Sequence, residues 1–208
     1  YVLGEKEIAD GRFRQSKPVL YAIKAPVFSF QKLARVEPSL GPEMKSTGEI
    51  LGIDKTYESA LYKAMVASGI HFKGDGAVVL TVRDEDKDAA VQLGKALAKS
   101  GRHIIATHGT ARLLREAGVE AEAVNKISQG SPNLLELILS GRASIMINTP
   151  SADKVAEAEA ARIRRACIET GIPCVTSIDT AAALLRAIDV FSKPYEAKCL
   201  RLPEYFVG

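Results

Sequence analysis

From Ala77 onward, short apolar runs alternate with longer stretches of helical character. The runs "AVVLTV", "HIIAT", "AEAVN", "SIMINT" and "PCVTS" read as strands, and five βα units in succession predict an α/β fold on a parallel sheet. The first helix is expected to begin near Asp84 or Asp86, either of which can cap it. It buries Ala90, Leu93 and Leu97 at spacings of three and four before Gly101 stops it. "SPNLLELILSGR" repeats the design, with Pro132 near the helix start and Gly141 past its end. A longer helix is predicted from about Lys154 to Thr170, with Gly171 following it. The first 72 residues read differently. "KPVLYAIKAPVFSF" alternates like strands, "VEPSLGPEMKSTGEILG" is a loop punctuated by Gly and Pro, and "YESALYKAMVASG" is an amphipathic helix. "HFKGDGA" then reads as a linker.

Composition narrows the class. At 208 residues the chain exceeds one ordinary domain, and its 47% hydrophobic content is mostly aliphatic, with 6% aromatics and no Trp. That balance is common in α/β proteins of the cytoplasm, the expected location. The 28 basic and 25 acidic residues are interspersed, so no nucleic-acid groove is expected. No apolar stretch of about 18 residues and no signal pattern points to a membrane. The cysteines, Cys167, Cys174 and Cys199, lack C-x-x-C spacing and read as reduced thiols, so no metal site is expected. The chain opens at Tyr1 with "YVLGEKEIADGRF", which reads as part of something longer.

In a parallel sheet the residues that end each strand share one edge, where doubly wound sheets place ligands. Here they are Lys87 after the first strand; Thr107, His108, Gly109 and Thr110 after the second; Asn125 and Lys126 after the third; and Asn148, Thr149 and Ser151 after the fourth. Hydroxyls, amides, two ammonium groups and a helix N-terminus together suit an anion, and Gly109 lets the backbone come close. The plainer alternative is that Thr107 and Thr110 only cap a helix while the lysines are solvated. Catalysis would also need a base. No aspartate occurs between Asp88 and Asp153, and Glu116, Glu120, Glu122 and Glu136 fall away from the strand ends. His108 is the one candidate acid or base, and it reads better as a hydrogen-bonding loop residue. No catalytic residue is therefore expected. Arg164 and Arg165 can face a domain surface or a ligand, or be a solvated helix face. Lys45, Ser46, Thr47 and Gly48 lack the Gly-x-x-x-x-Gly-Lys frame of a P-loop.

The segment "LGPEMKSTGEILGIDKTYESALYKA" resembles the end of the second ATP-grasp half of the carbamoyl-phosphate synthase large subunit. "LTVRDEDK", "ATHGTARLLREAGV", "VNKISQGSPNLLELI", "INTPS" and "IRRACIETGIP" resemble that family's C-terminal regulatory domain, which has the methylglyoxal-synthase-like fold. The resemblance covers about residues 15 to 190, and its motifs are together highly specific; the tail "FSKPYEAKCLRLPEYFVG" matches none of them. It implies an ATP-grasp remnant over 1–72, a five-stranded parallel doubly wound effector-binding domain over 73–190, and a tail over 191–208. In that family the large subunit combines bicarbonate, ammonia channelled from a glutaminase small subunit, and two ATP. The product is carbamoyl phosphate, for pyrimidines and arginine. The C-terminal domain does no chemistry and binds effectors, in bacteria typically UMP as inhibitor and IMP as activator.

By motif match Lys87, Thr107, Thr110, Lys126, Asn148, Thr149 and Ser151 would hold the nucleotide, with His108 and Gly109 in the same turn. MgATP belongs to the parent enzyme, because the upstream motifs that ligate its metals do not occur in this sequence; no cofactor is expected here. Relatives associate through this domain, so a homo-oligomer is a further expectation. One departure is Pro150, which stands where many relatives carry a threonine hydroxyl and so bears on the choice between UMP and IMP.

Rival readings share the fold. Methylglyoxal synthase carries a catalytic Gly-Gly-Asp segment where this chain has "SQGSPN", and the purine cyclohydrolase carries a His-Pro-Lys segment that is missing here. Relatives that sense acetylglutamate have Trp where Lys126 stands. A purely structural or oligomerisation role is the remaining alternative.

Overall fold

The computed structural model describes residues 20–28, 44–71, 74–190 and 198–205. Its centre is a five-stranded sheet of β3 (Ala77–Thr81), β4 (Ile104–Thr107), β5 (Glu122–Val124), β6 (Ala143–Asn148) and β7 (Cys174–Val175). All neighbours are parallel, and the spatial order is β5-β4-β3-β6-β7. The order turns back between β3 and β6, so crossovers leave that seam in opposite directions and helices cover both faces.

Alternation along each strand divides the interior in two. Val78, Leu80, Ile104, Ala106, Ile145 and Ile147 face α2 (Lys87–Lys99), α3 (His108–Glu116) and α6 (Ile178–Val190). Val79, Ile105 and Met146 face α4 (Leu134–Leu139) and α5 (Lys154–Thr170). Because both faces are covered, the central strands are apolar apart from Ser144 and the polar residues at their carboxyl ends, as the continuous runs predict. Leu80, Ile105 and Ile147 are fully buried, and each such side chain contributes about 1.5–3 kcal/mol of burial free energy.

Local signals explain the helix ends. Asp153 caps α5, its carboxylate accepting from the amides of Val155 (2.7 Å) and Ala156 (3.0 Å). Gly171 closes the same helix at φ 69°, a left-handed conformation that favours glycine. Helix α2 starts where expected, with Asp86 in the capping position at the end of a 3-10 turn (Asp84–Asp86), but its side chain makes no capping hydrogen bond and takes the Arg83 guanidinium instead at 2.9 Å. At the amino edge of the sheet, the Ser144 hydroxyl reaches the carbonyls of Gly76 (2.9 Å) and Ala77 (3.1 Å). A Cβ on Gly76 would stand 2.7 Å from the Ser144 nitrogen, so only glycine fits there.

Ahead of the sheet lie an antiparallel pair, β1 (Tyr21–Phe28) and β2 (Ser46–Asp54), and the helix α1 (Tyr57–Ala67). The strand β2 corrects the reading of "KSTGEILG" as loop. Its glycines mark a close approach, not a turn: a Cβ on Gly52 would lie 2.2 Å from the Ala60 carbonyl oxygen and 2.5 Å from the Ala64 nitrogen. Glycine lets α1 lie directly on the strand. Helix α1 in turn packs on α6, with Met65 against the core. Residues 198–205, expected as part of a separate tail, return to α1, where buried Tyr205 accepts at its hydroxyl from Lys63 Nζ (2.9 Å) and Lys63 pairs with Asp54 at 2.7 Å. An apolar groove of about 640 Å³ runs between β1, α1 and α6, walled by Phe28, Leu61, Met65, Ile70 and Leu184. The remainder of "KPVLYAIKAPVFSF" and of the 36–43 stretch lies outside the described residues.

Candidate functional site

At the carboxyl ends of the strands, where the order reverses, a cleft of about 460 Å³ opens. Each strand end delivers side chains to it in the way parallel topology requires. Thr81 comes from β3, Lys87 from the first turn of α2, Thr107 from β4, Gly109 and Thr110 from the first turn of α3, and Asn148, Thr149 and Ser151 from the end of β6. Lys126 reaches it from the connection after β5. Of the ten strand-end residues singled out from the sequence, the structure brings all but His108 and Asn125 to one volume.

His108 is exposed at the start of α3, and its Nε2 lies 2.8 Å from the Asn125 carboxamide oxygen. An amide oxygen only accepts, so Nε2 carries the proton in this pair. Neither residue lines the cleft. The alternative in which Thr107 merely caps α3 does not describe the structure, because its side chain makes no capping hydrogen bond although the residue is buried. At Gly109 a Cβ would stand 3.9 Å from Lys87 Nζ, so the absent side chain keeps that side of the ammonium open.

The hydrogen-bond partners set what the walls offer. The Thr149 hydroxyl oxygen accepts from the Arg83 amide (2.9 Å), and that of Ser151 accepts from the Asp153 amide (3.2 Å). Each keeps its own proton to donate. Val82, Leu134, Ala152, Ala156, Ala160 and Ile163 give the cleft an apolar wall, half of it on α5. That wall has the chemistry of a surface for an uncharged ring or sugar face.

Carboxylates also line the cleft, which counting acids between Asp88 and Asp153 misses. They are Asp84, Glu85, Asp153 and Glu159. Asp84 pairs with Lys87 at 2.5 Å, and this hydrogen-bonded ammonium holds its carboxyl below the usual carboxylate range. Asp153 is likewise held low, by the amides of Ala156 and Val155. Glu159 accepts from the Ser128 amide at 2.7 Å, and Glu85 sits 3.7 Å from the Arg83 guanidinium. The strand-end rule that finds Lys87 also finds Asp84 and Asp153, which follow β3 and β6. Glu122 and Glu136 lie elsewhere, the first beside Arg142 and His103, the second on Ser131 and Asn133. Pro150 is exposed and does not line the cleft.

Arg164 and Arg165 separate. Arg165 is half-buried and pairs with Glu169 at 2.8 Å. Arg164 is 6% exposed, which overturns the solvated-face reading for this residue. It donates from Nη1 to the Asn148 carboxamide oxygen at 3.0 Å and from Nη2 to Glu157. Among the described residues no group of three or more His, Cys, Asp or Glu side chains is placed to hold a metal, and no helix is long and apolar enough to cross a membrane.

Fold and cleft together define a class: a doubly wound parallel domain with a polar, donor-lined cleft at its topological switch point. Residues 89–176 match the family model of the MGS-like domain, and the five-stranded parallel sheet is the fold of that domain. The match spans β4 to β7 and the strand-end residues Thr107 to Ser151. Strand β3, Arg83, Asp84, Lys87 and α6 lie outside it and are joined to it by the sheet and its packing.

Proposed function

We propose that this chain is the regulatory C-terminal part of a carbamoyl-phosphate synthase large subunit, and that its cleft binds nucleoside monophosphate effectors such as UMP and IMP. One observation carries the reading. Donors from four strand ends converge on a single volume, while every carboxylate in that volume is already engaged by the protein. Lys87 and Lys126, with the hydroxyls of Thr107, Thr110, Thr149 and Ser151, suit the phosphate. The apolar wall on α5 suits the nucleoside. In this reading the glutaminase subunit and the synthetic domains, with their MgATP, are partners of the site and not components of it.

A second reading, an enzyme of the methylglyoxal synthase type, draws on Asp84 and Asp153 beside the cations. A carboxylate held below its usual range by a lysine, or bound to two helix amides, is a poor base. That argues for holding phosphate over transforming it.

Calorimetry and thermal melts with UMP and IMP test the proposal. Ligand at about 100 times Kd should stabilise the fold by roughly 2.7 kcal/mol. No heat and no shift at millimolar nucleotide would overturn it. Product from dihydroxyacetone phosphate, abolished by Thr107→Ala, would favour the enzymatic reading instead.

A further inference from the structure

Behind the cleft, the polar residues at the end of β6 are tied to α5 by one buried side chain. Asn148 is 3% exposed and lines the cleft, and its carboxamide oxygen receives Arg164 Nη1 at 3.0 Å. A guanidinium can only donate, so the oxygen of Asn148 must face Arg164 and the NH2 group must face away from it. The other arm of Arg164 holds Glu157, whose second oxygen accepts from the Ser151 amide at 3.1 Å. Glu157 and Arg164 lie seven residues apart, two turns along the same face of α5. A chain of contacts thus runs from Asn148 through Arg164 and Glu157 to Ser151, spanning the loop that ends β6.

We propose that Arg164 is the positioning residue of this cleft. It locks the Asn148 carboxamide with its NH2 group turned to the ligand and, through Glu157, fixes the backbone of Ser151. The end of β6 is thereby a preset row of donors, since Thr149 and Ser151 also give their acceptor oxygens to protein amides. Such a row matches a phosphate, which offers acceptors, and disfavours a ligand group that must itself donate. Pre-setting also removes the ordering cost of three side chains from the binding step. The inference rests on the reading of the cleft as a phosphate site, although the lock itself is made by contacts within the protein.

The experiment uses the full chain, with inorganic phosphate and UMP as probes in calorimetry. Arg164→Gln and Asn148→Ala should each weaken binding roughly tenfold, the low end for a hydrogen bond to a charged group. Because both remove the same oriented donor, the double variant should bind no more than about twofold weaker than either single one. Lys126→Ala, which acts on a separate group, should instead multiply in full with Arg164→Gln. Arg165→Gln should leave affinity unchanged. Affinity like the parent's in Arg164→Gln, or full multiplication with Asn148→Ala, overturns the proposal. If Arg164→Gln does not fold, Arg164→Lys carries the test: a point-like ammonium lacks the rigid two-armed fork that spans Asn148 and Glu157, so partial loss is expected and affinity like the parent's overturns the proposal.

A melting cycle without ligand keeps the two readings apart. Asn148→Asp keeps an acceptor toward Arg164, so it should lower the melting temperature far more in the Arg164→Gln background than in the parent. If the parent binds neither probe, the phosphate reading fails and this cycle still decides the lock. Equal losses in both backgrounds would refute the lock whatever the ligand.

Discussion

The cleft at the carboxyl edge of the sheet and the groove between β1, α1 and α6 are of comparable size, about 460 and 640 Å³, and of opposite chemistry. The groove is walled by side chains such as Phe28, Leu61 and Met65, whose attraction for an occupant is non-directional and follows apolar area. In the cleft several polar wall groups have one of their bonding roles used up by the protein. The Asn148 oxygen goes to Arg164, the Thr149 oxygen to the Arg83 amide, and the Asp84 carboxylate to Lys87. The difference teaches where selectivity comes from. A surface defined only by residue type accepts whatever is apolar and fits, whereas one whose hydrogen-bond roles are partly filled rejects ligands that cannot complete it.

That contrast can be broken most forcefully at Lys126. A hydrogen bond to a charged group contributes on the order of 1.5 to 3 kcal/mol, so Lys126→Ala should weaken UMP binding by roughly 10- to 150-fold in calorimetry. A smaller effect follows at Asp84. Converting it to Asn releases Lys87 and removes a negative charge from the cleft, so inorganic phosphate should bind about two- to fivefold tighter, the range of an exposed pair. Weaker binding instead would mean that Asp84 contacts the ligand.

Smaller again is the pH response at the head of α5. The amides of Ala156 and Val155 hold the Asp153 carboxyl below its ordinary value. Its contribution to stability is therefore complete above the unfolded-state pKa and is lost as the pH falls through the lower folded one. Asp153→Asn, still a capable cap, should flatten that part of an acid melting series and leave the neutral-pH melt almost unmoved. The smallest expected effect separates the two hollows. Leu61→Ser should alter the groove and leave phosphate affinity within about twofold, as for distant independent sites. A larger change would show the hollows to be coupled through α6.

The sheet was legible because its strands are buried on both faces and so stand out as unbroken apolar runs. The cleft was legible because parallel topology gathers strand ends, which located Lys87, Thr107, Thr110, Lys126, Asn148, Thr149 and Ser151 without any tertiary contact. Strand β2 was not, since Gly48 and Gly52 carry the signature of a turn, and only the proximity of α1 reveals why glycine is needed at residue 52. Arg164 escaped for a related reason. Beside Arg165 it looks like surface charge, while its companions at helical spacing, Ala160, Ile163 and Cys167, are buried. An arginine on that stripe two turns from Glu157 is the readable sign of an internal pair. His108 followed the strand-end rule by position, but at the first residue of α3 it turns outward to Asn125.

The hydroxyl of Ser144 fastens the amino ends of β3 and β6 together, and Gly76 leaves no slack beside it. Amides there are tied again, Ala77 to the Arg142 carbonyl and Val78 to that of His103, both at 2.9 Å. The carboxyl edge of the same seam is fastened too, by the Thr149 amide on the Thr81 carbonyl at 3.2 Å and by Arg164 on Asn148. The strand pair that carries the cleft is thus pinned at both ends like a beam on two supports, and the spacing between the tips of β3 and β6 is set by the frame before any ligand arrives.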